Sequence, residues 1–247
     1  MKLKINKKQI IDQILNPISR IVDDCAINVT KNTINSLVAA DPGPTVLYAE
    51  TQMDNNTLSD TDSIGLNIKG VKKLIRVFEC IPTDEFEIEI GDNNSSIKYS
   101  STNLSFKLHL VLDDAIKKCT LSLNKINKLT YDTSFSLTNS KINEILKGSM
   151  FANESNKVYF FTKDKVIYAE LTDKAIEQVD NITFNITPTY QGIELTTPLP
   201  FSVEILRLLS NNKEDVEIKI NNSYKIILFE IKKQTGILKY IIPAYVK

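Results

Sequence analysis

The sequence predicts an α+β chain built from two similar domains, each with two helices packed on antiparallel sheet. Three observations carry this. Amphipathic helix patterns recur at matching places in the two halves, strand-like runs fill the intervals, and 247 residues suit two domains of roughly 120 residues each. The helix patterns start at Lys7 and Lys69 in the first half and at Ser140 and Phe201 in the second. The step from Lys7 to Ser140 matches the step from Lys69 to Phe201 to within a single position. A unit repeated at a nearly constant offset is a duplicated domain. The expected division is a first domain over 1–112, a connecting segment over 113–131 and a second domain over 132–247.

The elements follow in chain order. Lys2–Asn6 reads as a short strand. In Lys7–Ile21 the residues Ile10, Ile14, Ile18 and Ile21 fall on one helix face, and Pro17 predicts a kink or an early end. Strands are expected at Ala26–Thr30, Asn35–Ala40, Val46–Gln52 and Ser63–Ile68. The second helix, Lys69–Cys80, turns Val71, Leu74, Ile75 and Phe78 to one side and stops before Pro82. Strands Phe86–Gly91, Ser96–Ser100 and Leu104–Leu112 follow. In the first of these, Phe86, Ile88 and Ile90 alternate with Glu85, Glu87 and Glu89, the mark of a sheet with one wet face. The second half repeats the order. It has strand Thr133–Leu137, helix Ser140–Ala152, and hairpin strands Lys157–Thr162 and Lys165–Leu171 around Lys163-Asp164. Then come strands Asn181–Thr187 and Gly192–Thr196, Pro198 and Pro200 leading into helix Phe201–Asn211, and strands Val216–Asn221, Lys225–Lys232 and Ile237–Val246. Between the halves, Asp113–Tyr131 has weak periodicity but carries Ile116, Leu121, Leu123, Ile126 and Leu129. A connector this apolar lies on something or receives something.

Composition excludes several function classes. The formal charge is zero and 42% of residues are hydrophobic, so cores can form and no whole-chain charge names a partner. The three cysteines, Cys25, Cys80 and Cys119, are too far apart in sequence for CxxC spacing and suit a reducing cytoplasm. The basic N-terminus is broken by Gln9, Asp12 and Gln13, unlike a signal peptide, and no apolar run approaches the roughly 18–20 residues of a membrane span. The expected location is cytoplasmic, the host cytoplasm and nucleoid for a viral source, with no membrane partner. A single histidine, His109, rules out multi-histidine zinc sites and disfavours Ser-His or Cys-His catalysis. No GxGxxG or GxxxxGK[ST] occurs, which argues against nucleotide-cradling loops. The acidic pairs Asp23-Asp24, Asp113-Asp114 and Glu214-Asp215 sit at element ends and read as caps and solubilising charge. No cofactor, no metal and no enzymatic activity are expected.

Charge is segregated. The four predicted helices, the last taken to Lys213, carry a combined charge of about seven positive in a neutral chain, so strands and loops carry the balancing negative charge. One reading is ordinary solvated helix faces. The other is a basic helix surface facing a polyanion, which binds phosphates without reading bases.

Five segments then carry a family resemblance. Gly236-Ile-Leu-Lys-Tyr-Ile-Ile-Pro-Ala-Tyr resembles the ending of proliferating cell nuclear antigen and its archaeal relatives, with their Gly-x-Leu-x-Tyr-Tyr-Leu-Ala-Pro pattern. Val71-Lys-Lys-Leu-Ile-Arg resembles that family's second helix. Ile21-Val-Asp-Asp-Cys-Ala-Ile-Asn-Val resembles its first helix-to-strand passage. Phe135-Ser-Leu-Thr and Lys163-Asp-Lys-Val resemble the start of its second domain. The order holds over nearly the whole chain, and size and composition also suit the clamp of a T-even-like phage. Three departures stand out: the ending is one residue short before Pro243, Glu204 occupies a position often basic in the family, and Pro17 interrupts the first helix.

The resemblance implies the DNA clamp fold and a sliding clamp, a processivity factor that encircles double-stranded DNA as a homotrimer. It further implies a DNA polymerase and a clamp loader as partners. DNA contact is then expected from Lys73 and Arg76, with Lys72, Lys147, Lys69, Arg20, Lys141 and Arg207 in support. Client peptides are expected against Leu121, Leu123, Ile126 and Tyr131 on one wall and Ile242, Pro243 and Ala244 on the other, over a floor of Val38 and Ala40. The seam between protomers is expected from Phe106, Leu108 and Leu110 on one edge strand and Ile182, Phe184 and Ile186 on another, because pairing hides both edges. Two rivals are a clamp-like factor that forms no ring and a carboxylate-metal enzyme.

Overall fold

The computed structural model describes residues 1–53, 58–59, 62–152, 156–176 and 179–245. The chain divides into two units, Met1–Asn127 with Lys233–Leu238, and Lys128–Lys232 with Lys239–Lys247. The boundary falls inside the expected connector, most of which belongs to unit 1.

Unit 1 begins with strand β1 (Lys2–Asn6) and helix α1 (Lys7–Ile10), which runs through a π-helical turn (Ile11–Leu15) into helix α2 (Asn16–Ser19). Asn6 caps the start by accepting from the Gln9 amide. Proline has no N–H for the carbonyl four residues back. Here the break is absorbed upstream, where the Asn16 N–H bonds Ile11 O, five residues back. Pro17 is therefore buried inside a continuous helical run that ends at Ser19.

Next come β2 (Asp24–Thr30), β3 (Thr33–Ala39), β4 (Val46–Gln52), β5 (Ser63–Lys69) and helix α3 (Val71–Glu79), followed by β6 (Glu85–Ile90), β7 (Ser96–Ser100) and β8 (Ser105–His109). Gly70, at φ 80°, turns the chain from β5 into α3, a backbone state that other residues adopt at a cost. Its N–H donates to Asp24 Oδ1, and the Val71 N–H donates to Asp23 O. The acidic pair Asp23-Asp24 thus anchors this turn. The strands form two antiparallel sheets, ordered β1-β6-β7-β8 and β4-β3-β2-β5. The alternation read from Glu85–Ile90 holds, with Phe86, Ile88 and Ile90 buried and the glutamates exposed. The connector is not plain coil: it holds a 3-10 turn at Asp113–Ala115 and a helix α4 (Leu123–Asn127).

Unit 2 has β9 (Thr133–Leu137), helix α5 (Asn139–Gly148), β10 (Lys157–Lys163), β11 (Val166–Leu171), β12 (Ile182–Thr187), the two-residue β13 (Gln191–Gly192), β14 (Leu199–Ser202), helix α6 (Glu204–Leu209), β15 (Val216–Asn221), β16 (Ile226–Lys233) and β17 (Gly236–Pro243). Asp164 and Lys165 both have positive φ, the geometry of a tight two-residue hairpin turn between β10 and β11. Phe201 and Ser202, expected at the start of a helix, belong to strand β14, and the helix is the shorter Glu204–Leu209. Proline before a helix and proline in an edge strand look alike in sequence; here Tyr159 pairs with Pro200 and Val158 with Phe201. Gly192–Thr196 keeps only the pairing at Gly192. The last strand ends at Pro243, and the expected end at Val246 lies outside the described residues.

The strand orders repeat. Sheet β1-β6-β7-β8 of unit 1 corresponds to β9-β15-β16-β17 in unit 2, and β4-β3-β2-β5 corresponds to β12-β11-β10-β14. The registers repeat too. Asp24 pairs with Lys69 and Ala26 with Asn67 in unit 1, while Lys157 pairs with Ser202 and Tyr159 with Pro200 in unit 2. The step from Asp24 to Lys157 equals the step from Lys69 to Ser202, and it is the same step that separates Lys7 from Ser140. The duplication is real at the level of individual backbone pairs.

Candidate nucleic-acid and partner surfaces

Helix α3 is amphipathic. Val71, Leu74, Ile75 and Phe78 are buried, each stabilising the fold by roughly 2 kcal/mol through apolar surface removed from water. Lys72, Lys73 and Arg76 are exposed, and Lys69 is exposed one turn earlier at the end of β5. Among the described residues none of these four cations makes an ion pair closer than 4.0 Å. Arg20, just past α2, is exposed in the same way. In unit 2 the pattern changes. Lys147 is exposed and unpaired among the described residues, but Lys141 Nζ lies 2.6 Å from Glu144 and Arg207 pairs with Glu204 one turn back on α6. Two of the eight cations expected to meet DNA are therefore already partly neutralised.

A groove of about 570 Å³ opens in unit 1 over β2 and β3. Ala26, Leu37, Val38 and Ala39 form its floor, Ile21 and Val22 one end, and residues Ala115–Cys119 of the connector cross it. Ile116 is buried and anchors the crossing. Lys117 pairs with Asp41 at the rim, and Lys118 pairs with Asp113 within the connector. Cys25 in the floor is held as a thiol: burial first, then the neighbouring Asp24 carboxylate, push its pKa up to about 12. Ile116, Lys117, Leu37 and Asp41 are absent from the residues expected from the sequence to bind clients; the apolar side chain at 116 in a polar stretch is the signal that marks them.

The expected client residues spread over both units. Leu121 and Leu123 keep part of their surface, while Ile126 and Val38 are buried in unit 1 and Ala40 is half-buried. In unit 2, Ile242 and Ala244 are buried and Pro243 is exposed. For Ile126, Ile242 and Ala244 this is a correction: their side chains serve their own unit's core, whereas Val38, also buried, lines the groove floor as expected. Tyr131 is half-buried in unit 2, its hydroxyl has no hydrogen-bond partner among the described residues, and burial, then the Glu230 carboxylate, push its pKa up to about 12.

The seam residues also need correcting. Strands β8 and β12 are edges, since β8 pairs only with β7 and β12 only with β11 among the described residues. Their apolar side chains nevertheless face their own helices. Phe106 lies 6.4 Å from the ring of Phe78 on α3 and stacks on Tyr99 at 5.7 Å. Phe184 and Ile182 lie over Gly148 of α5, where an added Cβ would sit 2.3 Å from Phe184 Cζ. Leu108 is buried, and Leu110 lies past the strand end, its N–H donating to Ser95 O. What each edge offers a second chain is backbone, rimmed by half-buried rings.

Other features are quiet. Among the described residues no three His, Cys, Asp or Glu side chains converge as a metal site, and no helix is long and apolar enough to cross a membrane.

No family model and no curated protein matches the chain. Solved structures do. A PCNA from A. fulgidus, in a structure described as the C-terminal region of FEN-1 bound to that PCNA, superposes with a TM-score of 0.75 at 15% identity, covering 100% of this chain and 98% of the other. The Proliferating Cellular Nuclear Antigen of Entamoeba histolytica gives a TM-score of 0.75 at 11% identity, covering 99% and 98%. With the strand order of one unit matched in the other, and both units matched end to end by PCNA, this chain has the α+β fold of the sliding clamps.

Proposed function

We infer that the protein is a DNA sliding clamp, a non-enzymatic ring that tethers a polymerase and other clients to duplex DNA. The observation that carries this is the exposed basic face of α3, free of ion pairs among the described residues, on a chain whose whole length has the clamp fold. Lys69, Lys72, Lys73 and Arg76 offer phosphate contacts with no base-reading element beside them, which suits a protein that must move along DNA.

The edges supply the ring. In unit 1 the outer side of β4 is bordered by Gly236–Leu238 of β17. Among the described residues its counterpart β12 has no such neighbour, and neither does β8, the counterpart of β17. Pairing β8 of one copy with β12 of the next covers both of these edges. A head-to-tail contact of this kind closes by rotation, and three copies of 27.9 kDa are the expected assembly. The unit 1 groove, crossed by Ala115–Cys119, is the candidate dock for the apolar tails of a polymerase and a clamp loader. Leu121 and Leu123 extend it along the connector.

The test is the double change Lys73→Glu and Arg76→Glu. Duplex DNA binding by the assembled protein should fall at least about tenfold at low salt, and the salt slope should shrink by about 0.9 for each phosphate left without a cation. Native mass should stay at three protomers. A double variant that binds DNA like the wild type removes the DNA-facing role from α3.

A further inference from the structure

The face of β10 and β11 turned away from the helices carries an aromatic surface outside the edges, the basic helix faces and the unit 1 groove. Register defines it. Phe160, Ala169 and Phe184 lie side by side on the helix-facing side, so Tyr159, Phe161, Tyr168 and Glu170 share the opposite side. Phe161 and Tyr168 are half-buried and nearly parallel, with ring centroids 5.7 Å apart and planes 18° apart. A cation already sits there. Lys174 Nζ lies 4.9 Å from the Tyr159 centroid and 5.7 Å from that of Phe161, and 2.8 Å from Glu170 Oε2.

The fold does not require this surface. At the matching positions of the first copy, unit 1 has Ala26 for Tyr159, Asn28 for Phe161, Asn35 for Tyr168, Leu37 for Glu170 and Asp41 for Lys174. The Asn28–Asn35 pair forms there as Phe161–Tyr168 does in unit 2, with neither a ring nor a cation at these positions. The aromatic platform and its carboxylate are additions to unit 2.

Ring faces attract cations, and arginine more than lysine, because guanidinium is planar, weakly hydrated and able to stack. Lys174 meets only part of what the platform offers. Its ammonium is a point charge, its side chain is 45% exposed, and it comes from the turn after β11 rather than from the sheet. A guanidinium can stack on the parallel Phe161–Tyr168 pair while giving Glu170 two hydrogen bonds, a geometry lysine lacks. The Glu170 side chain is only 19% exposed, so losing Lys174 would leave a half-buried carboxylate in need of a cation.

We propose that this face of unit 2 is a receptor for an arginine side chain of a protein partner, and that Lys174 is the internal occupant that the arginine displaces. Competition with Lys174 lowers the apparent affinity, and removing Lys174 restores it. The test uses the full chain and two probes, N-acetyl-Gly-Arg-Gly-amide and its lysine counterpart, titrated by saturation-transfer NMR on the peptide protons. Lys174→Ala should bind the arginine peptide about tenfold tighter than wild type and prefer it to the lysine peptide. Adding Tyr168→Leu should abolish that gain. If Lys174→Ala does not fold, Lys174→Met keeps the length of the covering stem without the charge and is read by the same outcomes. No tightening, equal binding of the two peptides, or a gain that survives Tyr168→Leu each overturns the proposal.

Discussion

In unit 1 the outer edge of β4 lies under Gly236–Leu238, and the face of β2 and β3 is crossed by Ala115–Cys119. In unit 2, among the described residues, the matching edge, β12, has no neighbour on that side, and the matching face of β10 and β11 carries rings with Lys174 over them. The helices differ as well: among the described residues the α3 cations of unit 1 stand unpaired, while Lys141 and Arg207 of unit 2 have carboxylates beside them. One strand order thus supports two division-of-labour patterns. Backbone pairing specifies the sheet in both copies, and the outward-facing side chains, which the sheet does not constrain, diverge.

The comparison can be broken most severely at Gly236. An added Cβ there would sit 2.2 Å from Glu50 O, 2.6 Å from Gln13 Oε1 and 3.0 Å from Thr51 Cα. Two of these neighbours are backbone and cannot swing aside. Gln13 is also fixed, accepting from both Thr51 and Thr235, while Gln52 N donates to Thr235 O. Gly236→Ala should therefore strip the cover from β4 and cost about 3 kcal/mol, read as a lowered midpoint in urea unfolding. A cost under about 0.5 kcal/mol, the level of an ordinary surface change, would mean that the cover is loose and that the two edges differ less than their geometry says.

Gly148→Ala probes the uncovered edge and should cost less. Its Cβ would meet the Phe184 ring at 2.3 Å, but a ring at an open edge can move outward. Overpacking of this kind costs about 1–2 kcal/mol. Moving Phe184 also moves β12, so self-association should weaken by about tenfold, measured by sedimentation across a dilution series. Association unchanged in a destabilised variant would place the seam elsewhere. A charge at Phe106 or Phe184 is a poorer probe, because it would act on the packing against Phe78 and Gly148 before it reached any seam.

Much of this was legible in advance, for physical reasons. Period-two alternation with one buried face located β6 and β15 to within a residue, and the apolar spacing of Val71, Leu74, Ile75 and Phe78 located α3. The constant offset between the helix patterns of the two copies reappears in the strand registers. What was not legible depends on neighbours distant in sequence. Phe201 reads as helix until it is seen paired with Val158. Phe106 and Phe184 alternate like exposed seam residues, but alternation alone does not say which face a helix covers. Ile126, Ile242 and Ala244 are apolar near an expected pocket, and apolar residues near a pocket are also what a core needs. Arg207 counts as a free cation in a charge tally, yet Glu204 stands three residues before it, the spacing at which helical side chains meet.

That last pair gives the smallest and most direct probe of the difference in charge between the units. Glu204 and Arg207 are both well exposed, at 62% and 59% of their side-chain surface. An exposed ion pair of this kind is worth about 0.3–0.5 kcal/mol, so it adds little to folding, and removing it should leave the unfolding midpoint unchanged. Its effect on a polyanion is different in kind. The carboxylate cancels the guanidinium's charge at long range and occupies part of its donor fork. Glu204→Gln keeps the shape, removes the negative charge and makes α6 resemble α3. If α6 meets phosphates as α3 is inferred to, duplex DNA affinity should rise about twofold and the salt slope should steepen by up to about 0.9 for each phosphate newly met. The gain should shrink as ionic strength rises and the Debye length falls below about 10 Å. Fluorescence anisotropy of a labelled duplex across a salt series measures both quantities. If Glu204→Gln changes neither affinity nor slope while Lys73→Glu with Arg76→Glu lowers both, then α6 stands off the DNA, and Lys147 of α5 is the cation of unit 2 left to meet it.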